Sequence, residues 1–404
     1  MGVKVGKSKS HKIFFLNCCE CNYCQEFSMP EFITKELPKI LNLRPENLER
    51  SFNNGNIKFY SGQGVDGLQF RKGVGHIESG TMICFGNKIE IIRGFPKIRR
   101  TLLLEPSLVN HFKTEIAVEE KMNGYNVRLA LVNQNIVAFT RGGYICPYTT
   151  KKAPEIMNME SFFHDYPDLV ICGEMVGTEN PYVTHYYREI GKLGFRIFDL
   201  RHKTTNQALS IKEKRELLDF YNLPAVKFFG TIPIEDAVER IFEIIEKLGK
   251  EDREGVVIKD PEMLLEPVKY TTSRAHRGEI EYAFTYPFDF GRSFFFSRVI
   301  REGFQAFELN ESDEELKKRA HLLGESILYP MLNTIKYVSE DNSAYEDILI
   351  HVENSTEAEE FARHLRDLGV VAIVQSFDHG KAVIRRIHQS TTDRISNYLR
   401  GGLY

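Results

Sequence analysis

The spacing of apolar residues changes several times along the chain, and each change marks a new element. Around residues 30–50, MPEFITKELPKILNLRPENLER spaces its apolar positions as a helix does, with prolines interrupting it. From 55 to 92 the pattern shortens to alternating stretches between glycines: NIKFYSGQG, GLQFRKGVGHI and SGTMICFGNKIEII. These read as strands of a small α+β unit. From about 93 to 275 strands dominate: TEIAVEEK, VRLALVNQNIVAF, DLVICGEMVG, GFRIFDLR and EGVVIKD, all rich in Val, Ile or Phe. Between them IEDAVERIFEIIEKLGK (234–250) is a helix, with Ala237, Ile241, Ile244 and Ile245 at helical spacing and Gly249 as its expected stop.

After about 285 the pattern becomes helical again. FFFSRVIREGFQAFE places Phe296, Val299, Ile300, Gly303, Phe304 and Phe307 on one stripe, which predicts either a core face or a surface for a second chain. A second helix opens with Ser312 and Glu315 in capping-box spacing and continues through Leu316, Ala320, Leu323 and Ile327. From about 345 the order is strand, helix, strand, strand, helix. Its first helix is expected from a Thr356–Glu359 box to Gly369, and DHG is the turn between VVAIVQS and KAVIRRI. Five segments follow: a basic, cysteine-rich tail at 1–29, an α+β domain at 30–92, a strand-rich domain at 93–275, a helical domain at 276–340 and an α/β domain at 341–404.

Composition adds limits. At 404 residues the chain calls for several domains, and 42% hydrophobic with 27% charged residues is ordinary for a globular protein. No run of eighteen apolar residues suggests a membrane span, and IFFL is too short for a secretory signal, so the expectation is a reducing, cytoplasmic setting without disulfides. The net charge of −3 does not announce a nucleic-acid binder, although KIRR (97–100), RRIH (385–388) and the first twelve residues are locally basic. Cys21 and Cys24 have metal-ligand spacing, with Cys18 or His11 as further zinc ligands, but no second such pair completes a tetrahedral site.

The chemistry is carried by five short patterns in order. EEKMNGYNVR (119–128) holds Lys121 between Glu119 and Asn126; GEMVG holds Glu174; GFRIFDL holds Phe198 and Asp199; EGVVIK holds Glu254 and Lys259; VKYTT holds Lys269. Singly each is weak: an exposed lysine, a surface carboxylate, a core phenylalanine. Together, across about residues 119–271, they resemble the nucleotide-binding elements of the covalent nucleotidyltransferase superfamily of ATP-dependent ligases and capping enzymes. Asn126, RGFPKIRR (93–100), TRGG (140–143) and FGRSFFFSRVIREGF (290–304) are similar to the archaeal ATP-dependent RNA ligase family within it.

That resemblance implies an α+β multidomain protein. Its catalytic domain would be an antiparallel-sheet nucleotidyltransferase (ATP-grasp-like ligase), 276–340 a dimerisation domain, and the protein a homodimer. It implies that Lys121 takes AMP from ATP, that the AMP passes to an RNA 5′-phosphate, and that a 3′-hydroxyl then displaces it. Glu174 would accept from the ribose hydroxyls, Phe198 stack on adenine, Arg141 reach phosphates or RNA, Glu119 contact the base and Asn126 the sugar or the substrate terminus. Glu254, with Glu174, would hold magnesium or manganese, and Lys259 and Lys269 would face phosphate. An amine whose reference pKa is about 10.4 attacks only when neutral, so these cations are expected to favour the neutral form. Glu254 and Lys259 are five apart, which a regular strand sends to opposite faces, so both serve one pocket only through a bulge near Gly255 or with Lys259 reaching around the strand end. The rival readings are a DNA ligase or capping enzyme, against which the tail lacks the strands of an OB barrel, and a non-catalytic adenylate- or RNA-binding module.

Overall fold

The computed structural model describes residues 2–7, 12–17, 24–28, 31–286 and 292–403. The chain divides into two compact units: Met1–Lys97 with Tyr125–Met175 and Gly194–Ala225, and Ile98–Gly124 with Val176–Leu193 and Val226–Tyr404. The cysteine cluster at Cys18, Cys21 and Cys24, with His11, lies outside the residues whose side chains are described. Cys84, Cys146 and Cys172 are buried in the interior and are not disulfide-bonded. Among the described residues no helix is long and apolar enough to cross a membrane.

The first unit begins with an antiparallel sheet of β1 (Gly2–Lys7), β2 (Lys12–Asn17) and β3 (Cys24–Ser28). Three short helices follow: α1 (Phe32–Glu36, a π-helical turn), α2 (Leu37–Leu41) and α3 (Pro45–Asn53). They cover the meander β4 (Ile57–Gly62), β5 (Val65–Phe70), β6 (Met82–Phe85) and β7 (Glu90–Ile92), where Phe32, Leu37 and Leu48 close on Ile57, Phe70 and Ile83.

The chain then passes through β8 (Arg99–Arg100), α4 (Leu104–His111) and β9 (Glu115–Lys121) of the second unit. It returns to the first unit as β10 (Tyr125–Val132), β11 (Asn135–Thr140), α5 (Pro147–Ile156), α6 (Glu160–Asp165), β12 (Leu169–Val176), β13 (Gly194–His202) and α7 (Ile211–Phe220). These strands form a sheet in the order β11-β10-β12-β13. Gly173 is required where β12 meets β13, because a Cβ there would lie 2.3 Å from the Phe195 ring.

The rest of the second unit runs β14 (Phe228–Pro233), α8 (Ala237–Lys250), β15 (Gly255–Lys259), β16 (Val268–Thr271), α9 (Ser273–Thr285), α10 (Arg292–Glu308) and α11 (Asp313–Ser339). Its five-stranded sheet has the order β14-β9-β15-β16-β8, antiparallel except for the β16–β8 ladder. Ala237, Ile241 and Ile245 of α8 are buried as their spacing predicts, but the helix runs through Gly249 to Lys250. The Ser312–Glu315 capping box opens α11.

The C-terminal part is β17 (Tyr345–His351), α12 (Ser355–Asp367), β18 (Ala372–Asp378), β19 (Lys381–Ile387) and α13 (Gln389–Leu399), with sheet order β17-β19-β18. Asn354, not Thr356, caps α12: its side chain accepts from the Glu357 N–H. The Asp-His-Gly turn has both His379 and Gly380 at positive φ, as a two-residue hairpin with primed geometry requires.

Candidate active site

Alternation along β9 decides which side chains meet. Val118 points to one face and joins Val256, Ile258 and Tyr270 against Leu104 and Leu108 of α4 and Ile241 and Ile245 of α8. Glu119 and Lys121 therefore point to the other face. The register places Lys121 beside Gly255 and Gly255 beside Thr271, while Glu119 lies beside Val257 and Val257 beside Lys269. Lys259 is in the same phase on β15, and Arg100 of β8 is the ladder partner of Lys269. One face of the sheet thus carries Lys121, Glu119, Lys259, Lys269 and Arg100.

Glu254 joins them through a break in the alternation. Gly255 has φ +152°, and a Cβ on it would lie 2.3 Å from the Tyr270 carbonyl oxygen. That backbone re-aims residue 254, and Lys121 Nζ donates to Glu254 Oε2 at 2.6 Å. The ladder β15–β9 runs without a register shift, so the device is a glycine conformation and not an inserted residue. Gly255→Ala should destabilise the protein by about 1–3 kcal/mol, read as a lower urea midpoint at unchanged slope.

Ion pairs order this face. Lys259 Nζ meets Glu119 Oε2 at 2.6 Å with both side chains nearly fully buried, at 2% and 3% exposure. Lys121 and Glu254 are more open, at 22% and 11%. The resemblance implies that Glu119 contacts the base and that Lys259 faces phosphate; in the structure the two side chains meet each other. The structure also sets the Glu254 carboxylate against Lys121, where the resemblance implies surrounding cations.

Behind the nucleophile stands a support that sequence reasoning missed. The Asn123 N–H donates to Tyr187 Oη at 2.6 Å, and the Arg253 guanidinium lies 5.3 Å from the Tyr187 ring centroid. Arg253 pairs with Glu120 and with Glu189, each at 2.7 Å. Burial raises the Glu120 carboxyl above its ordinary range although Arg253 opposes the shift. Burial also pushes the Tyr187 phenol well up. The available signal was the alternation of EEK, which turns Glu120 away from Glu119 and Lys121.

The remaining candidates belong to the first unit. Asn126 of β10 and Glu174 of β12 are direct ladder partners, so their side chains leave the same face together. Asn126 Oδ1 is buried with no hydrogen-bond partner among the described residues. Phe198 of β13 is half-buried and meets Phe95 edge to face, with centroids 5.2 Å apart. Asp199 is paired with Arg201 at 2.9 Å, an internal tie. Arg141 is exposed in the turn after β11. Arg128, also missed, is buried and donates to the carbonyls of Gly80 and Thr140 at 2.9 Å and to that of Arg93; burial pushes it down to about 10. Among the described residues no three Asp, Glu, His or Cys side chains converge as a metal cage.

The sequence model of the RNA ligase family matches residues 114–271, and that of the C-terminal region of the ligase Pab1020 matches 282–402. An uncharacterised protein of Methanocaldococcus jannaschii is 40% identical, over 90% of this chain and 95% of its own length. A solved structure described as an archaeal ATP-dependent RNA ligase, in two forms, superposes with a TM-score of 0.89 at 54% identity, over 91% of this chain and 98% of that one. A chain from Aquifex aeolicus that carries the name of an ATP-dependent DNA ligase superposes with a TM-score of 0.83 at 27% identity, over 89% of this chain and all of that one (100%).

Proposed function

The chain belongs to the archaeal ATP-dependent RNA ligase family, and from that premise we propose that Lys121 is the residue that takes AMP from ATP. ATP-dependent RNA ligation is its activity. The observation that carries the residue assignment is the single sheet face on which Lys121 stands with Glu254, Lys259, Lys269 and Arg100.

In the first step Lys121 Nζ bonds to the α-phosphorus and the bond to pyrophosphate breaks. The amine must shed a proton first, and Glu254 Oε2 at 2.6 Å is the group placed to receive it. In the second step an oxygen of the RNA 5′-phosphate displaces Lys121 from that phosphorus. In the third a 3′-hydroxyl attacks the activated end and AMP leaves. Lys269 and Arg100, side by side on the ladder, supply positive charge where phosphate oxygens gain charge. Glu119 holds Lys259 in one position beneath them.

A divalent cation, magnesium or manganese, fits beside Glu254, because such ions are commonly held by one or two carboxylates together with substrate phosphates. When bound it would neutralise phosphate charge. In the first unit we assign Phe198 to the adenine face and Glu174 to the ribose hydroxyls. The unpaired Asn126 Oδ1 is an acceptor suited to a hydroxyl donor. Arg141, exposed on its turn, is assigned to phosphate or RNA.

The protein is further proposed to act as a homodimer. Phe296, Ile300, Phe304 and Phe307 of α10 are exposed, so the stripe read as a core or a dimer face is not core. Leu328, Tyr329 and Leu332 add exposed apolar surface on α11. Replacing Phe304 and Phe307 together by Glu should convert the dimer to a monomer by light scattering; an unchanged mass would reject this face as the interface. The activity assay offers ATP or GTP with 5′-phosphorylated single-stranded RNA or nicked DNA. Joining of RNA with ATP is expected, whereas joining confined to nicked DNA would favour the DNA-ligase reading.

A further inference from the structure

Helix α10 carries its polar residues inward. Phe296, Ile300, Phe304 and Phe307 face out, while Glu302 and Gln305 are buried and the Arg298 and Arg301 side chains keep only 13% exposure each. Turning two arginines inward on a helix that holds four large apolar residues costs desolvation, so these guanidiniums need partners.

The available acids are few. Glu302 is taken by His276 Nδ1 and Arg319 Nη1, both at 2.5 Å, and by Ser273 Oγ at 2.6 Å. Among the described acids Glu279 alone serves Arg298, at 2.7 Å, and Arg301, at 3.3 Å; Arg298 also donates to the Phe294 carbonyl and to Ser297 Oγ. Arg100 is the third cation of the group: it lies in the fields of Glu279 and Arg298, and Arg301 lies in its field. Arg100 donates to Thr271, to whose carbonyl Gln305 of α10 also donates, and Thr271 pairs with Gly255, which pairs with Lys121, so the group stands on the nucleophile's sheet face. A guanidinium has five N–H donors. Among the described residues Arg301 has one hydrogen bond, to Glu279, and Arg100 has one, to Thr271 Oγ1, so four donors remain on each.

Arg100 is also aimed. Glu302 fixes the His276 proton on Nδ1, so Nε2 accepts from the Thr271 hydroxyl at 2.6 Å. The Thr271 lone pairs are thereby left for Arg100. Burial keeps His276 below its ordinary value although Glu302 opposes this, which preserves that orientation.

We propose that Arg100, Arg298 and Arg301 form a phosphate-binding subsite next to Lys121, filled by the pyrophosphate portion of ATP or by the 5′-phosphate of the RNA end. The assignment rests on Lys121 as the nucleophile. A phosphate offers several acceptor oxygens to forked donors and the negative charge this group lacks. Burial, followed by repulsion from Arg100 and Arg298, pushes Arg301 down to about 10, a strain that a bound anion relieves.

The test separates the steps with Arg298→Gln, Arg301→Gln and Arg301→Lys. Labelled enzyme–AMP formation is followed against ATP concentration, and transfer from preloaded enzyme to 5′-phosphorylated RNA is followed separately. A loss of about tenfold or more in one step for the Gln variants, partly recovered by Lys, is expected. Loss in adenylylation, with a raised KM for ATP, assigns the subsite to the ATP tail; loss confined to transfer assigns it to the RNA end. Gln variants that match wild type in unfolding temperature and in both steps overturn the proposal. A second measurement needs neither folding variants nor turnover: arginine modification of the wild type by phenylglyoxal, with and without pyrophosphate or 5′-phosphorylated RNA. Protection of Arg298 and Arg301 by either anion is expected, and identical labelling with both overturns the subsite. Absence of any wild-type adenylate would count against Lys121 and leave this protection result standing.

Discussion

Lys121→Ala should retain no covalent label from α-labelled ATP, while the wild type keeps a label that survives denaturation and is lost in mild acid, as a phosphorus–nitrogen bond requires. Lys121 is the amine at the end of β9. Glu254 is a carboxylate, and Lys259 is locked against Glu119 with 2% of its side chain exposed. The loss should exceed about 10⁴-fold, since a covalent route is removed and not merely slowed. The variant should still join RNA supplied with its 5′ end already adenylylated, because that step needs phosphate positioning and not the lysine nucleophile. The substitution removes one partner of a part-open ion pair, so unfolding temperature should change little. A labelled band that persists in the variant would remove Lys121 from its role and move the nucleophile elsewhere on this face.

What could be read without coordinates follows from how local each signal is. Strand alternation is local, so the stretches holding Lys121, Glu174 and Glu254 were legible as strands. Pairing is not local. That Lys259 meets Glu119 across 140 positions, and Lys121 meets Glu254 across 133, depends on β15 lying beside β9. The sequence could only show that Glu254 and Lys259 conflict with a regular strand; the φ of +152° at Gly255 resolves the conflict. The supporting residues were invisible for the same reason. Tyr187 and Arg253 reach the Lys121 turn from separate segments, and neither sits in a pattern of its own. Helix α10 shows the converse: its apolar stripe was plain in the spacing, but its direction was set by the polar residues opposite, which find Thr271, His276 and Glu279 inside.

The buried pair beneath the nucleophile should give the largest stability effect of any single charge removal on this face. Lys259→Met is expected to destabilise the protein by about 3–5 kcal/mol at neutral pH, because Glu119 then keeps its charge in a site only 3% exposed without the cation facing it. Glu119→Leu should cost a similar amount by stranding the ammonium. The double replacement should recover much of the loss, since two apolar groups of similar size need no counter-charge. Chemical denaturation of the four proteins closes the cycle, and additive losses would show that the two side chains act independently. Adenylate formation by the stable double variant then decides what the pair does. If Lys259 lends charge to phosphate, the variant folds yet forms adenylate slowly; if the pair only braces β9 against β15, folding and adenylate formation return together.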